Sequence, residues 1–275
     1  MNLSSQTLQT LLKYNITLNA SLDEQQLIDS DLIKRFVDYC KIKKDETVLE
    51  IGPGVGNVTK HLLEKECKVI CIEKNPKFIP VLEERFKDNK NLKIVQGDAL
   101  KIDLPQHDRH ISNLPYMICE AFFQRTLRLQ FLSAVYIVPL SFSETLTAKF
   151  NDEKYTKLSW IADLFYSISI IEKIAPSSYL PKPKIITSII SIKPKYNSDK
   201  SEIFLKPMLK QGDKYTKNAL REALIRTSIC NTKNHARRTI DQFLLSPKIL
   251  DKRVSRLSLE ELRFLKKIIT KVLSS

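Results

Sequence analysis

Glycine is scarce in this sequence: five of its 275 residues are Gly, and three of the five fall between residues 52 and 56. This scarcity excludes collagen-like chains and glycine-rich low-complexity chains. Long apolar runs are lacking as well, because none approaches the roughly 20 residues that a bilayer-spanning helix needs. The sequence therefore predicts a globular protein, and we expect no association with a membrane.

Cysteine and histidine are also few, with five Cys and four His. No CxxC pair occurs, and no His stands near a Cys at metal-ligand spacing, so the sequence favours neither a zinc site nor a disulfide framework. We expect no bound metal, and free buried thiols in a reducing compartment. Residues 1–14 lack the basic start, apolar centre and cleavage site of a signal peptide, which favours a cytoplasmic location.

Acidic residues are outnumbered by basic ones, and the formal net charge is +14. Residues 201–275 hold 17 Lys and Arg against 7 Asp and Glu. This excess favours a polyanionic partner, because basic side chains release the counterions condensed on a nucleic acid. Solvated faces of Lys-rich helices would produce the same composition, so charge alone leaves both interpretations open.

From Thr47 onward, short apolar runs alternate with amphipathic stretches, a pattern typical of βα units around a parallel sheet. We predict parallel strands at Thr47–Ile51, Lys68–Ile72, Leu92–Gln96, a short segment ending at residues 110–112, and Ala134–Val138. Residues 185–193 alternate like a strand and are predicted to close the sheet as a hairpin partner of residues 167–174. The predicted class is α/β with a Rossmann-like sheet.

The composition turns polar at residues 194–200, where we place the domain boundary. Beyond it the apolar spacing is helical, and Ser258 with Glu261 resembles a capping box at a helix start. We therefore predict an α/β domain over residues 1–195 and a small, basic helical domain over residues 196–275 that binds RNA or the ribosome.

A glycine-rich turn over residues 50–56 follows the first strand and opens a helix. Gly at positions 52 and 54 lets a backbone approach a ligand closely, and the helix behind it offers free N–H groups. Glu73 ends the second strand, where such sheets bind ribose hydroxyls, and Asp98 follows the third. Dinucleotide enzymes, flavoproteins and methyltransferases share relatives of this pattern, so it indicates an adenosine-containing cofactor without identifying it.

The tetrapeptide Asn113-Leu114-Pro115-Tyr116 follows the fourth strand at the same edge of the sheet. An exocyclic adenine amine is a weak nucleophile, and the Asn113 amide carbonyl and the Leu114 backbone carbonyl are suited to accept its hydrogens. Pro115 restrains the residue before it, and Tyr116 offers a flat face for a base. Methyl transfer is an in-line displacement that gains chiefly from positioning, so the tetrapeptide indicates methylation of adenine.

Together these motifs resemble the KsgA-type ribosomal RNA adenine dimethyltransferases, from about residue 23 to residue 195. The resemblance implies a class I methyltransferase fold that uses S-adenosylmethionine. It also implies dimethylation of two adjacent adenosines near the 3′ end of small-subunit rRNA, with the pre-small ribosomal subunit as partner. The proline-rich segment over residues 176–184 is similar to one whose aromatic residue helps clamp the target adenine, and Tyr179 lies at that place.

The sequence departs from this family in three segments. The family's Gly-Gln-(Asn/His)-Phe-Leu, which covers the cofactor, is Asp23-Glu24-Gln25-Gln26-Leu27, where Gln25 and Leu27 are the expected cofactor contacts. Pro139-Leu140-Ser141 replaces Gln-Lys-Glu, and Tyr155-Thr156-Lys157-Leu158-Ser159 replaces Tyr-Gly-Arg-Leu-Ser. Because the other cofactor contacts and the Asn113 tetrapeptide are retained, the resemblance implies catalysis.

Two alternatives stay open beside a small-subunit rRNA dimethyltransferase acting as a monomer. One is a ribosome-assembly factor that binds pre-small subunits and has lost efficient transfer, which the altered residues 23–27 favour. The other is a DNA adenine methyltransferase, although that class more often carries Asp-Pro-Pro-Tyr in place of Asn-Leu-Pro-Tyr.

Overall fold

A computed structural model of the protein describes residues 2–19, 23–196 and 199–274; residues 197–198 of the predicted linker lie outside that part. The chain divides into two compact units. The first comprises Met1–Thr147 and Tyr166–Pro194, and the second comprises Ala148–Phe165 and Lys195–Ser275. The predicted boundary at residue 195 matches the start of the C-terminal part of the second unit. Residues 148–165, which the prediction assigned to the first domain, belong to the second unit as well.

The first unit contains a seven-stranded sheet and a separate two-stranded sheet. In chain order the strands are β1 (Gln26–Leu27), β2 (Thr47–Ile51), β3 (Lys68–Glu73), β4 (Leu92–Gln96), β5 (Arg109–Asn113), β6 (Ser133–Pro139), β7 (Tyr166–Ile174), β8 (Tyr179–Leu180) and β9 (Thr187–Pro194). The large sheet has the order β4-β3-β2-β5-β6-β9-β7, and β1 pairs with β8. This is the α/β class that the sequence predicted.

Strands β2 to β6 are parallel, and the direction of winding reverses between β2 and β5. From β2 the chain builds outward through β3 and β4, then returns to add β5 and β6 on the other side. A reversal of this kind leaves a crevice outside the carboxyl ends of the two central strands, which is where open α/β sheets bind ligands.

The helices of the first unit are α1 (Leu3–Lys13), α2 (Ser30–Tyr39), α3 (Asn57–Leu63), α4 (Ile79–Arg85), α5 (Cys119–Thr126) and α6 (Leu140–Thr147). Apolar side chains of α2 and α3, among them Phe36 and Leu62, form one buried cluster with Val48, Val69 and Val135 of the sheet. Burial of these residues holds β2, β3 and β6 in place, and so positions the loops that follow them.

Two predicted elements differ from the observed ones. The helix expected to reach Gln130 ends at Thr126, where Arg128 and Leu129 donate to carbonyls three residues back and tighten the chain into a turn. Strand β9 does pair antiparallel with β7 as predicted, but it lies between β6 and β7 and does not close the sheet. Its residues 187–190 are buried, as expected of an inner strand.

The second unit is helical, with α7 (Lys157–Phe165), α8 (Lys200–Leu209), α9 (Thr216–Arg226), α10 (Lys233–Gln242), α11 (Pro247–Leu250) and α12 (Leu259–Ser274). Its core includes Phe204, Leu220 and Leu265, each fully buried. The predicted capping box at α12 is confirmed: Glu261 N donates to Ser258 Oγ at 3.2 Å, and Ser258 N donates to Glu261 Oε2 at 2.7 Å.

Over the residues that the structure describes, no helix combines the length and apolarity needed to cross a membrane. Within the same residues, no group of three or more His, Cys, Asp or Glu side chains is placed to hold a metal ion. The five cysteines are buried and form no disulfide, as the sequence predicted; they are Cys40, Cys67, Cys71, Cys119 and Cys230.

Candidate active site

A cavity of about 520 Å³ opens at the carboxyl ends of the parallel strands, beside the reversal between β2 and β5. Eight of the residues predicted from the sequence line it: Gln25, Leu27, Gly52, Gly54, Glu73, Asp98, Asn113 and Pro115. They come from the ends of β1 to β5, which are far apart in the chain. Parallel pairing of β2 to β5 gathers those that follow these strands at one edge, whereas Gln25 and Leu27 belong to the separate β1–β8 pair.

The glycine-rich turn follows β2 in a conformation that side chains disfavour. Gly52, Gly54 and Gly56 have φ angles of +67°, +56° and +81°. At Gly54 an added Cβ would lie 2.2 Å from Gln26 Oε1, and that same oxygen accepts a hydrogen bond from Val55 N at 3.1 Å. Glycine is therefore needed there both for backbone conformation and for the close approach of the residue 23–27 segment.

Hydrogen bonds from the side chains of Asn57 and Arg85 also hold the glycine-rich turn. Asn57, which is buried at the start of α3, donates through Nδ2 to Leu27 O at 2.8 Å and to Thr7 Oγ1 at 3.0 Å. Arg85 of α4 donates to Val55 O and, at 3.0 Å, to Asn57 Oδ1. These contacts join the turn to α1, α4 and the residue 23–27 segment, so its shape does not depend on the glycines alone.

Glu73 stands at the end of β3 with its carboxylate across the glycine turn. Oε2 accepts from Gly54 N at 3.1 Å and Oε1 accepts from Asn75 N at 2.7 Å. Burial raises the pKa of Glu73, and the hydrogen bonds from Asn75 and Gly54 act against that shift. A carboxylate offers about four acceptor sites, so two bonds leave capacity for a ligand hydroxyl.

Asp98 follows β4 at the opposite side of the cavity from Asn113's strand. Its Oδ1 accepts from Leu100 N at 2.9 Å, and Oδ2 lies 3.1 Å from Lys74 Nζ. The backbone hydrogen bond from Leu100 and the nearby Lys74 hold the pKa of Asp98 below its usual range. The group is thus an anionic hydrogen-bond acceptor at neutral pH.

Glu50, the last but one residue of β2, lines the cavity as a fully buried carboxyl group. Thr59 Oγ1 donates to its Oε2 at 2.7 Å, and Cys71 Sγ lies 3.3 Å from the same oxygen. Burial raises the pKa of Glu50 to about 7, against the lowering effect of these two donors. Glu50 was not among the site residues predicted from the sequence; its signal there is an acid between the apolar residues Leu49 and Ile51 of a strand.

Asn113 carries the feature that most directly suggests chemistry. Its Nδ2 donates to the Gln25 backbone carbonyl at 3.3 Å, which turns the amide so that Oδ1 is the free end. Oδ1 is buried, and no donor in the described part of the chain reaches it. Because a buried acceptor without a partner is costly, its position in the cavity wall marks a place for a ligand donor.

Tyr116 and Leu114 do not line the cavity, although they flank Pro115, which does. Leu114 is 2% exposed, and its N–H donates to Ile137 O at 3.1 Å, so the tetrapeptide is fastened to β6. The Tyr116 hydroxyl is buried without a hydrogen-bond partner among the described residues, and burial raises its pKa. The stacking role of Tyr116 stays a prediction.

Tyr179 is not brought to the cavity. Its side chain is 1% exposed, packs in the buried cluster of the first unit, and bonds through its hydroxyl to Thr187 Oγ1 at 2.6 Å. Strand pairing sets it opposite Leu27, so it supports the residue 23–27 segment. In this arrangement no face of the ring is free for a base, and the clamping role stays a prediction.

Two residues of the divergent segment contribute contacts that the sequence analysis missed. Gln26 bonds the glycine turn through Val55, and Asp23 Oδ2 accepts from Met117 N, just after the tetrapeptide, at 2.7 Å. Both stand where this chain departs from the family pattern. The departure itself was the available signal, because a polar side chain that becomes buried in this segment needs hydrogen-bond partners of its own.

The comparisons with known proteins agree with this geometry. The family model described as ribosomal RNA adenine dimethylase matches residues 15–252. A probable ribosomal RNA small subunit methyltransferase A of Thermococcus sibiricus is 34% identical over 222 residues, covering 80% of this chain and 81% of the relative. Its counterpart in Pyrococcus abyssi is 32% identical over 254 residues, covering 92% of each chain.

Two solved structures are also similar to this chain. The crystal structure of a dimethyladenosine transferase from Plasmodium falciparum aligns with a TM-score of 0.59 at 27% identity, covering 87% of this chain and 94% of that one. The 23S rRNA methyltransferase ErmE aligns with the same TM-score at 18% identity and covers 90% of this chain, a likeness of fold. With a matching family model over most of its length and a cavity lined by the motif residues, the chain belongs to the ribosomal RNA adenine dimethylase family and is a methyltransferase.

Proposed function

We propose that this protein transfers methyl groups from S-adenosylmethionine to the exocyclic amines of two adjacent adenosines near the 3′ end of small-subunit rRNA. The observation that carries the proposal is the buried, partnerless Oδ1 of Asn113 in the cavity wall, within the same cavity as the glycine turn. An amine with hydrogens to donate is the ligand group that such an acceptor satisfies.

The cavity fits the cofactor that this reaction needs. Its volume of about 520 Å³ suits a ligand of nucleoside size. Gly52, in the cavity wall, would admit the cofactor close to the backbone. Glu73 would accept hydrogen bonds from its ribose hydroxyls, and Asp98 from its adenine amino group. S-adenosylmethionine supplies an electrophilic methyl group on a positively charged sulfonium.

The chain's own residues then position the acceptor. Asn113 Oδ1 accepts a hydrogen bond from the adenine amine and so directs the lone pair of the amine nitrogen into the cavity. The Gln25 carbonyl keeps the Asn113 amide in the orientation that this requires. Tyr116, which follows Pro115 in the chain, is the residue that we propose stacks on the base. A base turned out of an RNA stack costs a few kcal/mol, which aromatic stacking offsets.

The test is to incubate immature small ribosomal subunits with methyl-labelled S-adenosylmethionine and map modified adenosines by mass spectrometry. We expect dimethylation of two adjacent adenosines. Asn113→Ala should slow transfer on the order of 100-fold, because the lost hydrogen bond acts mainly in the transition state. Its affinity for S-adenosylmethionine, measured by calorimetry, should change by less than about threefold.

Asn91→Ala is the matched control, since Asn91 is an exposed amide outside the cavity. It should behave as the unmodified protein. Subunit binding with no adenosine methylation would defeat the proposal and favour the assembly-factor alternative. Methylation of DNA adenines in preference to rRNA adenines would defeat the proposal and favour a DNA adenine methyltransferase.

A further inference from the structure

Helix α12 presents a row of cations away from the core. Its sixteen residues bury Leu262, Leu265 and Ile269, each fully inaccessible to solvent. Arg263, Lys267 and Lys271 follow one another at four-residue spacing and are all exposed. Side chains four residues apart lie on one face of a helix, so the three form a continuous basic stripe.

The stripe borders the only tryptophan of the sequence, Trp160 of α7. Trp160, Arg263, Lys266, Lys267, Thr270 and Lys271 together line a shallow concavity of about 470 Å³, here called the α12 groove. Within the described residues Lys266 pairs with Glu202 at 2.6 Å, whereas Arg263, Lys267 and Lys271 form no ion pair. Three positive charges of the groove are thus available to a partner.

A second aromatic side chain extends the α12 groove. Phe150 is 58% exposed, and the Arg263 guanidinium carbon lies 4.2 Å from the centre of its ring. Tyr155 packs edge-on against Phe150, with ring centres 6.0 Å apart. An exposed ring held in place by a neighbour, beside a half-buried indole and three cations, forms a surface that alternates aromatic and basic groups.

We propose that the α12 groove binds a single-stranded segment of RNA, with phosphates on Arg263, Lys267 and Lys271 and a base against Trp160. Single-stranded nucleic acids are bound by cationic grooves whose aromatic rings stack on the bases, which matches both features of this surface. An acidic peptide would use the cations but not the rings. The proposal rests on the proposed function in one respect, since that function requires an RNA partner.

The single tryptophan supplies a reporter within the groove itself. Titration of the full-length protein with a ten-nucleotide oligouridylate should quench Trp160 fluorescence. Oligouridylate carries no adenine, so the signal is independent of methyl transfer. The double variant Lys267→Glu, Lys271→Glu should weaken binding at least about tenfold, because two phosphate contacts are lost and two repulsions added. Lys267→Gln with Lys271→Gln should weaken it less.

The matched control is Lys34→Glu with Lys90→Glu, which makes the same charge change at two exposed lysines of the first unit. Its affinity for oligouridylate should stay within about threefold. The stacking role of the Trp160 ring is tested with Trp160 variants, whose binding is followed by the fluorescence anisotropy of a dye-labelled oligouridylate. Trp160→Ala should weaken binding by about fivefold or more, because stacking is worth about 1–3 kcal/mol per base. Trp160→Phe keeps an aromatic ring and should retain most of the affinity.

Quenching that survives the Lys267 and Lys271 reversal, or that inorganic polyphosphate or phosphatidylserine vesicles produce equally, would overturn the proposal. The proposal would also be overturned if the Lys34 and Lys90 control lost as much affinity for oligouridylate as the Lys267 and Lys271 variant. Methylation of small subunits, measured in parallel, separates the two proposals. Methylation without oligouridylate binding overturns the α12 groove alone, whereas groove-dependent binding without any adenosine methylation overturns the proposed function alone.

Discussion

Asp23 has a backbone φ of +57°, in the left-handed region that favours glycine and that Asp tolerates better than most residues. The family that this sequence resembles has Gly at this position. Here the carboxylate also accepts from Met117 N, at 2.7 Å, and so ties the residue 23–27 segment to the residue after the tetrapeptide. The substitution therefore keeps the backbone conformation and adds a hydrogen bond.

Variants at Asp23 should separate these two contributions. Asp23→Gly keeps the left-handed backbone but loses the hydrogen bond to Met117 N, so affinity for S-adenosylmethionine should fall by about threefold. This loss is smaller than that expected for a fully buried charged hydrogen bond, because Asp23 is partly exposed. Asp23→Ala loses both, and should fall by about tenfold. Calorimetry measures the order; an Ala variant that binds more tightly than the Gly variant would contradict it.

Glu50 predicts a pH dependence of stability. Its pKa in the folded protein is about 7 against an ordinary value of 4.5, so folding favours the protonated form. The contribution is fully present below about pH 4.5 and is lost as the pH rises through 7, at a cost of at most about 3 kcal/mol. Glu50→Gln, which cannot ionise, should lose less stability than the unmodified protein between about pH 5 and pH 7.5.

Urea unfolding at the two pH values measures this difference. Subtracting the loss of unfolding free energy in Glu50→Gln from that in the unmodified protein cancels the contributions of other groups that titrate in this range. One such group is His107, because burial lowers its pKa. Equal losses of unfolding free energy in both proteins would show that Glu50 is ionised throughout.

At the scale of the element, α12 begins where its sequence predicts because both halves of the capping box form. Glu261 also binds Lys252 Nζ through both of its oxygens, each at 2.9 Å, so the start of the helix is joined to the loop before it. The cap therefore does more than satisfy two backbone N–H groups.

Ser258→Ala should reduce the free energy of unfolding by about 1 kcal/mol, the usual cost of removing an N-cap hydroxyl. Urea unfolding followed by Trp160 fluorescence reports on the second unit, to which both residues belong. Ser255→Ala is the control, because Ser255 is exposed and, among the residues that the structure describes, forms hydrogen bonds through its backbone atoms only. A Ser258 variant as stable as the Ser255 variant would contradict a capping role.

At the scale of the whole molecule, a net charge of +14 makes association with RNA sensitive to salt. If about five phosphates are neutralised, affinity for an rRNA fragment should fall about 100-fold between about 50 and 200 mM NaCl, since each phosphate contributes about −0.7 to the slope for a single strand. Filter binding across this range measures the slope. An affinity that does not change with salt would contradict phosphate binding.

Short-range patterns were enough to predict several parts of this protein from its residues alone. The strand Thr47–Ile51 and the strand Leu92–Gln96 were predicted to the residue, because each short stretch rich in apolar residues ends at a glycine, Gly52 in one case and Gly97 in the other. The glycine turn, Glu73 and Asp98 could be placed at one edge because parallel strands present their carboxyl ends together. The capping box was equally local.

Which distant side chains meet became visible only in the folded chain. The Gln25 carbonyl orients the Asn113 amide across 88 residues of chain, and Asp23 reaches Met117 across 94. Tyr179 matched a family motif but is buried against Thr187, and Trp160 joins the α12 groove because residues 148–165 group with the C-terminal unit. Hydrogen-bond partners and burial depend on how elements pack, and packing depends on contacts that no local pattern records.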